Sequence, residues 1–153
     1  MNAYIDSVSL QLVMMLEKEG YRAAAVPASQ SVGEYAGVFP HKKAAIRAGL
    51  GAIGKSALFL SNIYGPRVRL GTVFTNAPLE TVCEKQKDLC GDCDICAKNC
   101  GAMAIRNVNY KDGMEREEIF DAHACSEYMK NKFKNIGRGA VCGVCMRVCP
   151  KGL

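Results

Sequence analysis

Between residues 3 and 19, Ile5, Val8, Leu12, Met15 and Leu16 recur at helical spacing, and Gly20 follows where a C-terminal cap belongs. The pattern predicts an amphipathic helix. Residues 21–26 then have the composition of a short strand ended by Pro27, and residues 28–40 form a loop containing Gly33 and Gly37. Helical character resumes over 41–48. After a glycine cluster, residues 57–63 are apolar, Gly65-Pro66 makes a turn, and residues 67–75 alternate through Val68 and Leu70 as a strand does. Pro78 closes this part. From about Cys83 the composition shifts to cysteine and charge, with no apolar run long enough for a sheet, as expected where something other than side chains fills the core.

The cysteines supply that something. Eight of the nine fall into two runs, Cys90-x2-Cys93-x2-Cys96-x3-Cys100 and Cys125-x16-Cys142-x2-Cys145-x3-Cys149, the second followed by Pro150. This is the arithmetic of paired [4Fe-4S] clusters. Thiolates two residues apart in a tight turn converge on one cube of iron and sulfide, while the fourth cysteine, a helical turn further on, reaches the neighbouring cluster. One cluster then takes Cys90, Cys93, Cys96 and Cys149; the other takes Cys142, Cys145 and Cys100 and needs one more ligand. Cys125 is the natural candidate, as the first cysteine of a run whose first gap an insertion has stretched. Cys83 competes but sits outside both runs. Zinc also uses Cys-x2-Cys pairs, but four ligands per site leave the third and fourth cysteines of each run unexplained.

Disulfides fit less well. Met1 to Gly20 has no basic start, no uninterrupted apolar core and no small-residue cleavage site, and no apolar run is long enough to span a bilayer. The expected location is therefore cytoplasmic, where thiolates stay free to bind iron. At 153 residues the chain holds one domain, or two small ones supported by more than apolar burial. Its formal charge of +5 counts the cysteines as neutral. Each oxidised cluster with its four thiolates adds about −2, so the loaded protein is close to neutral and its overall charge argues weakly for nucleic acid. The run Lys130, Lys132, Lys134 and Arg138 is locally basic; a solvated face is its plainest meaning, with an acidic partner or RNA as the others.

The segment AGLGAIGKS satisfies G-x-x-x-x-G-K-S through Gly49, Gly54, Lys55 and Ser56, and G-x-G-x-x-G through Gly49, Gly51 and Gly54. Both patterns need a buried strand immediately before the glycines, and HKKAAIRA is basic and helical instead. No later stretch offers an apolar strand ending in a magnesium-binding aspartate. The glycines better suit a close approach of backbone to a ligand, a cluster or another chain segment, with a purely structural turn as the alternative. His41, beside Lys42 and Lys43, suits an exposed helix start more than a proton donor. His123 stands two residues before Cys125, in reach of a cluster sulfur or simply exposed. Met14 and Met15 read as core filler, and Tyr35 and Tyr64, near loop glycines, as packing residues first and proton donors in a pocket second.

HKKAAIRAGLGAIGKSALF, then YGPRVRLGTVFTNAPLE, then the two cysteine runs, in that order, resemble the iron–sulfur half of epoxyqueuosine reductase and its shorter relatives, which are themselves related to corrinoid-dependent reductive dehalogenases. The resemblance covers about Val26 onward. It implies that Gly49, Gly51, Gly54, Lys55 and Ser56 help hold a cobalamin against the nearer of two [4Fe-4S] clusters. Where epoxyqueuosine reductases carry a catalytic aspartate, this sequence has Pro27-Ala28-Ser29, and no aspartate occurs between Asp6 and Asp88. No catalytic residue is assigned.

The expected architecture is α+β, with a truncated corrinoid-reductase-like α/β part at 1–82 and a two-cluster ferredoxin-like domain at 83–153. The expected function is electron transfer to or from a redox partner protein. The alternative is a corrinoid-dependent reductase whose pocket another subunit completes, with a corrinoid or corrinoid protein as partner and a homodimer as one form of it. An RNA-binding module has least support, and tRNA is not an expected partner.

Overall fold

The computed structural model describes residues 1–81, 88–137 and 139–152, so Cys83 and Arg138 lie outside the described residues. In chain order the elements are α1 (Asn2–Lys18), β1 (Ala23–Val26), α2 (His41–Arg47), β2 (Gly51–Ile53), β3 (Phe59–Ser61), β4 (Thr72–Thr75), α3 (Ile95–Lys98), α4 (Arg116–Ile119), α5 (Ala122–Lys132) and α6 (Val144–Arg147). The mixture of helices with two small antiparallel sheets is α+β. One sheet pairs β1 with β4, in register Ala23↔Thr75 to Val26↔Thr72; the other pairs β2 with β3, in register Gly51↔Ser61 to Ile53↔Phe59.

The chain gathers into two compact units, Met1–Gly49 with Arg69–Lys85, and Leu50–Val68 with Gln86–Leu153. Residues 50–68, which the sequence division at 82/83 groups with the earlier part, thus pack with the cysteine runs. The reason is local: Gly51 lies so close to the Leu60 carbonyl that any side chain would collide with it, and Ala52 and Leu60 are almost fully buried.

In the first unit, α1 packs on β1 and β4. Gly71 lets it come close, since a Cβ there would stand 2.8 Å from Ile5 Cγ2. The helix buries Ser9 and Val13 and half-buries Ile5 and Leu16, leaving Val8, Leu12, Met14 and Met15 exposed. The two methionines are therefore surface residues, not core filler. Apolar residues surround much of this helix, and a stripe that wide does not decide which edge faces the core. His41 opens α2 and is partly buried: Nδ1 lies 2.7 Å from Thr72 Oγ1, while Nε2 lies 2.7 Å from Gln30 Nε2 and 3.1 Å from the Pro27 carbonyl. Asp6 Oδ1 accepts the Ala28 N–H at 2.8 Å, tying the loop after β1 to α1.

The second unit has its apolar core in Ala52, Ile53, Phe59 and Leu60 of the β2–β3 hairpin and in Ala104, Ile105 and Ile119. A bridge between Ile105 and Phe120 and the Asp121 N–H to Ala104 carbonyl bond hold the stretch before α5 in place. Helix α4 starts with a capping box formed by Glu115 and Glu118, and α5 with Asp121 accepting the Ala124 N–H at 2.9 Å.

Candidate metal centres

Each cysteine run folds as a turn leading into a single turn of helix. Asp88 Oδ1 accepts the backbone N–H groups of Cys90 and Gly91 at 2.9 and 3.0 Å, which fixes the entry to the first run. The Cys93 N–H then donates to the Cys90 carbonyl at 2.9 Å, so Cys90 and Cys93 flank a tight turn. Cys96 falls within α3 and Cys100 just beyond it. The second run repeats the plan: Gly143, at φ 79°, caps α6 between Cys142 and Cys145, and Cys149 follows the helix. The two short helices pack on each other. Cys125 comes from a separate element, near the start of α5.

The thiols influence one another in two sets. Burial, followed by the charges of Cys90, Cys145, Cys149 and Cys93, pushes the Cys96 thiol up to about 11. Cys145 is also pushed up to about 11, by burial and then by Cys125, Cys100 and Cys142. Cys90 is raised by burial, partly offset by the Lys55 backbone N–H donating to its sulfur, with Asp88, Cys149 and Cys93 adding to the rise. Cys125 is raised by burial and then by Cys100 and Cys142. By these influences one set is Cys90, Cys93, Cys96 and Cys149 and the other Cys100, Cys125, Cys142 and Cys145, and the charge of Cys145 also reaches Cys96 across that division. The first set lines one cavity together with Ser56, Leu60, Leu89, Ile95, Pro150 and Lys151.

All eight described cysteines are free thiols. Among the described residues, no three His, Cys, Asp or Glu side chains close on a single point as one metal ion requires. Four thiols around a shared space suit a four-iron cube better, because each caps a different iron. Burial disfavours the unaided thiolates of Cys90, Cys96, Cys125 and Cys145. Loading with iron has to release their protons, so the donor set fits a cationic cluster core.

The glycine segment is only partly gathered at this site. Gly49, at φ 70°, ends α2 in the first unit. Gly51 pairs within the β2–β3 hairpin. Gly54 stands against both Leu60 and Cys90, since a Cβ would lie 2.7 Å from Leu60 Cδ1 and 3.4 Å from Cys90 Sγ. Lys55 and Ser56 are 5% and 7% exposed. A helix, not a strand, precedes the segment, so the setting that a nucleotide-binding loop requires is missing. His123 and Tyr64 are exposed.

Sequence reasoning missed Arg67. Its guanidinium donates from Nη1 to the Lys151 carbonyl at 3.0 Å, and from Nη2 to the Arg147 and Cys149 carbonyls, both at 3.3 Å. It thereby clamps the peptide that carries Cys149. Nothing in the local sequence pairs residue 67 with residue 149, although the adjacent Gly65-Pro66 turn marks a special backbone. Gly65 touches the Lys151 carbonyl so closely that a side chain there would clash.

Residues 89–152 match the 4Fe-4S double cluster binding domain family. The chain is 31% identical over 153 residues to a tetrachloroethene reductive dehalogenase of Sulfurospirillum multivorans, a match covering 91% of this chain and 27% of that protein. It is 30% identical over 108 residues to an epoxyqueuosine reductase of Listeria monocytogenes, covering 68% of this chain and 27% of that protein. A crystal structure of epoxyqueuosine reductase shares the fold, with a TM-score of 0.67 at 24% identity over 98% of this chain and 38% of that one. The chain thus spans about a quarter of the length of these curated relatives.

Proposed function

We propose that this epoxyqueuosine reductase-like iron–sulfur protein is an electron carrier with a ferredoxin-like arrangement of two [4Fe-4S] clusters. Cys90, Cys93, Cys96 and Cys149 hold the first, and Cys100, Cys125, Cys142 and Cys145 the second. The observation that supports this assignment is the single cavity lined by Cys90, Cys93, Cys96 and Cys149, which draws members from both runs. When bound, the clusters supply one-electron redox chemistry.

The rest falls to the chain. The Lys55 N–H withdraws charge from the Cys90 sulfur and so favours added electron density there. Leu60, Leu89 and Ile95 line the cavity of the first thiol set and limit water at it. Asp88 and Arg67 fix the two ends of the backbone that presents that set, one at Cys90 and one at Cys149. Among the described residues no helix is long and apolar enough to cross a membrane. Eight unbridged thiols suit a reducing, cytoplasmic setting.

A second function, corrinoid-dependent reduction, is supported by the similarity to both reductases and by the contact of Gly54 with Cys90. Against it, residues 51–57 are all buried. A pocket completed by a second subunit or a second copy would be needed, and the isolated chain should bind cobalamin weakly.

Anaerobic iron and sulfide analysis with electron paramagnetic resonance of the reduced protein tests the first function. About eight iron and eight sulfide per chain are expected from two four-iron clusters. Stoichiometric zinc with little iron would overturn it. Tight stoichiometric cobalamin binding with rapid cobalt reduction would put the reductase first.

A further inference from the structure

Of the eight described cysteines only Cys142 is exposed; the other seven are partly covered. Electron exchange between proteins weakens steeply with distance, so the second thiol set meets an incoming carrier most directly at Cys142. The surface beside it has the composition of a docking site. Helix α5 ends at Lys132, and the stretch after it turns back on itself through the Ile136 N–H to Phe133 carbonyl bond at 3.0 Å and the Gly139 N–H to Ile136 carbonyl bond at 2.9 Å. The fold-back places Gly139 against the Lys134 backbone and Gly137 against Val141, the residue before Cys142. Ile136 is 56% and Val141 43% exposed, so two large apolar side chains face solvent on the same small loop as Lys134.

The charges in this stretch have one sign. Glu127 is spent on Lys130 at 2.8 Å, which leaves the positive charges of Lys132 and Lys134 uncompensated by that carboxylate. No Asp or Glu occurs between Glu127 and Cys149. An apolar centre beside an electron-bearing ligand, edged by lysines, matches the small, electrostatically steered interfaces of transient redox complexes.

We propose that the surface formed by Lys132, Lys134, Ile136, Val141 and Cys142 is the docking site for an acidic one-electron carrier protein. The step is the passage of one electron between the partner and the second cluster, with no bond made or broken and no proton moved. This rests on the electron-carrier function above. RNA, the other polyanion the lysines could attract, would use the charge but leave the apolar centre and the exposed cysteine without a role.

Calorimetric titration of the anaerobic, cluster-loaded chain with an oxidised, strongly acidic [2Fe-2S] ferredoxin tests the proposal without turnover. Binding should weaken as salt rises, and the Lys132→Glu, Lys134→Glu double variant should bind about tenfold or more weakly at low salt. The milder Lys132→Gln, Lys134→Gln pair should fall between. Ile136→Ser should weaken binding without changing its salt dependence. Iron content and reduction by dithionite should match the parent in every variant, which separates loss of docking from loss of the clusters themselves. Ferredoxin binding indifferent to both lysine pairs would overturn the proposal. So would tighter binding of a tRNA mixture that the lysine changes abolish while ferredoxin binding stays intact.

Discussion

Replacing Arg67 with Gln removes a clamp whose cost can be worked from its three bonds. A hydrogen bond from a charged donor contributes about 1.5–3 kcal/mol in a favourable setting. Here two of the three are long, at 3.3 Å, and the side chain is exposed to water. Each is then worth nearer 0.5–1 kcal/mol, and the clamp about 2 kcal/mol in all. Gly65 and Gly152 still lock the neighbouring backbone by close contact with Lys151 and Tyr64, so opening should be confined to the Cys149 segment. About 2 kcal/mol raises the open population roughly thirtyfold. Under anaerobic chelator challenge, iron should leave the cluster of Cys90, Cys93, Cys96 and Cys149 up to that much faster, while the other cluster keeps its rate. Arg67→Lys should be intermediate, because one ammonium cannot span three carbonyls as the planar fork does. Equal acceleration at both clusters would mean global unfolding, and no acceleration would mean that Arg67 does not seat Cys149; either result refutes the reasoning.

Cys125→Ser should lose or convert one cluster and Cys83→Ser should keep both, as iron counts per chain will tell. Cluster-free protein should lose stability as pH rises from about 9 towards 11: Cys96 and Cys145 hold their protons to about 11 when folded and release them at the ordinary 9.0 when unfolded. Anaerobic denaturant titrations across that range check the sign, and greater stability at the alkaline end would contradict it. Gly51→Ala should destabilise the β2–β3 hairpin by more than 2 kcal/mol, since its Cβ would fall inside the Leu60 carbonyl; a thermal midpoint within a degree or two of the parent would show that the hairpin yields. Mg-ATP should give no heat of binding, and micromolar affinity abolished by Lys55→Ala would restore a nucleotide site.

The cysteine spacing predicted a turn followed by a helical turn at each run, and α3 and α6 stand there, because that geometry is local. Helix α1, strand β1 and helix α2 were legible for the same reason: α1 lies one residue earlier than expected, β1 is shorter by two residues and α2 by one. Strand β2 was not. Gly51-Ala52-Ile53 has no alternation to read, and its partner Phe59–Ser61 is recognised only once the tight turn at Gly54 and Ala57 is formed. The buried face of α1 was also hidden, since Ser9 lies on it while Leu12 and Met15 do not. The Arg67 clamp joins residues far apart in sequence through backbone carbonyls, which carry no side-chain signature.

The proposed exchange of cysteines between the two runs bears on how the protein is made. A ribosome delivers Cys90, Cys93, Cys96 and Cys100 long before Cys142, Cys145 and Cys149, so neither proposed cluster has its full ligand set while the second run is untranslated. Through that interval the nascent chain displays several thiols with no iron to neutralise them, open to oxidation and to wrong disulfides. Iron insertion then has to wait for the second run, and air exposure during expression should harm yield more than it harms the finished, loaded protein.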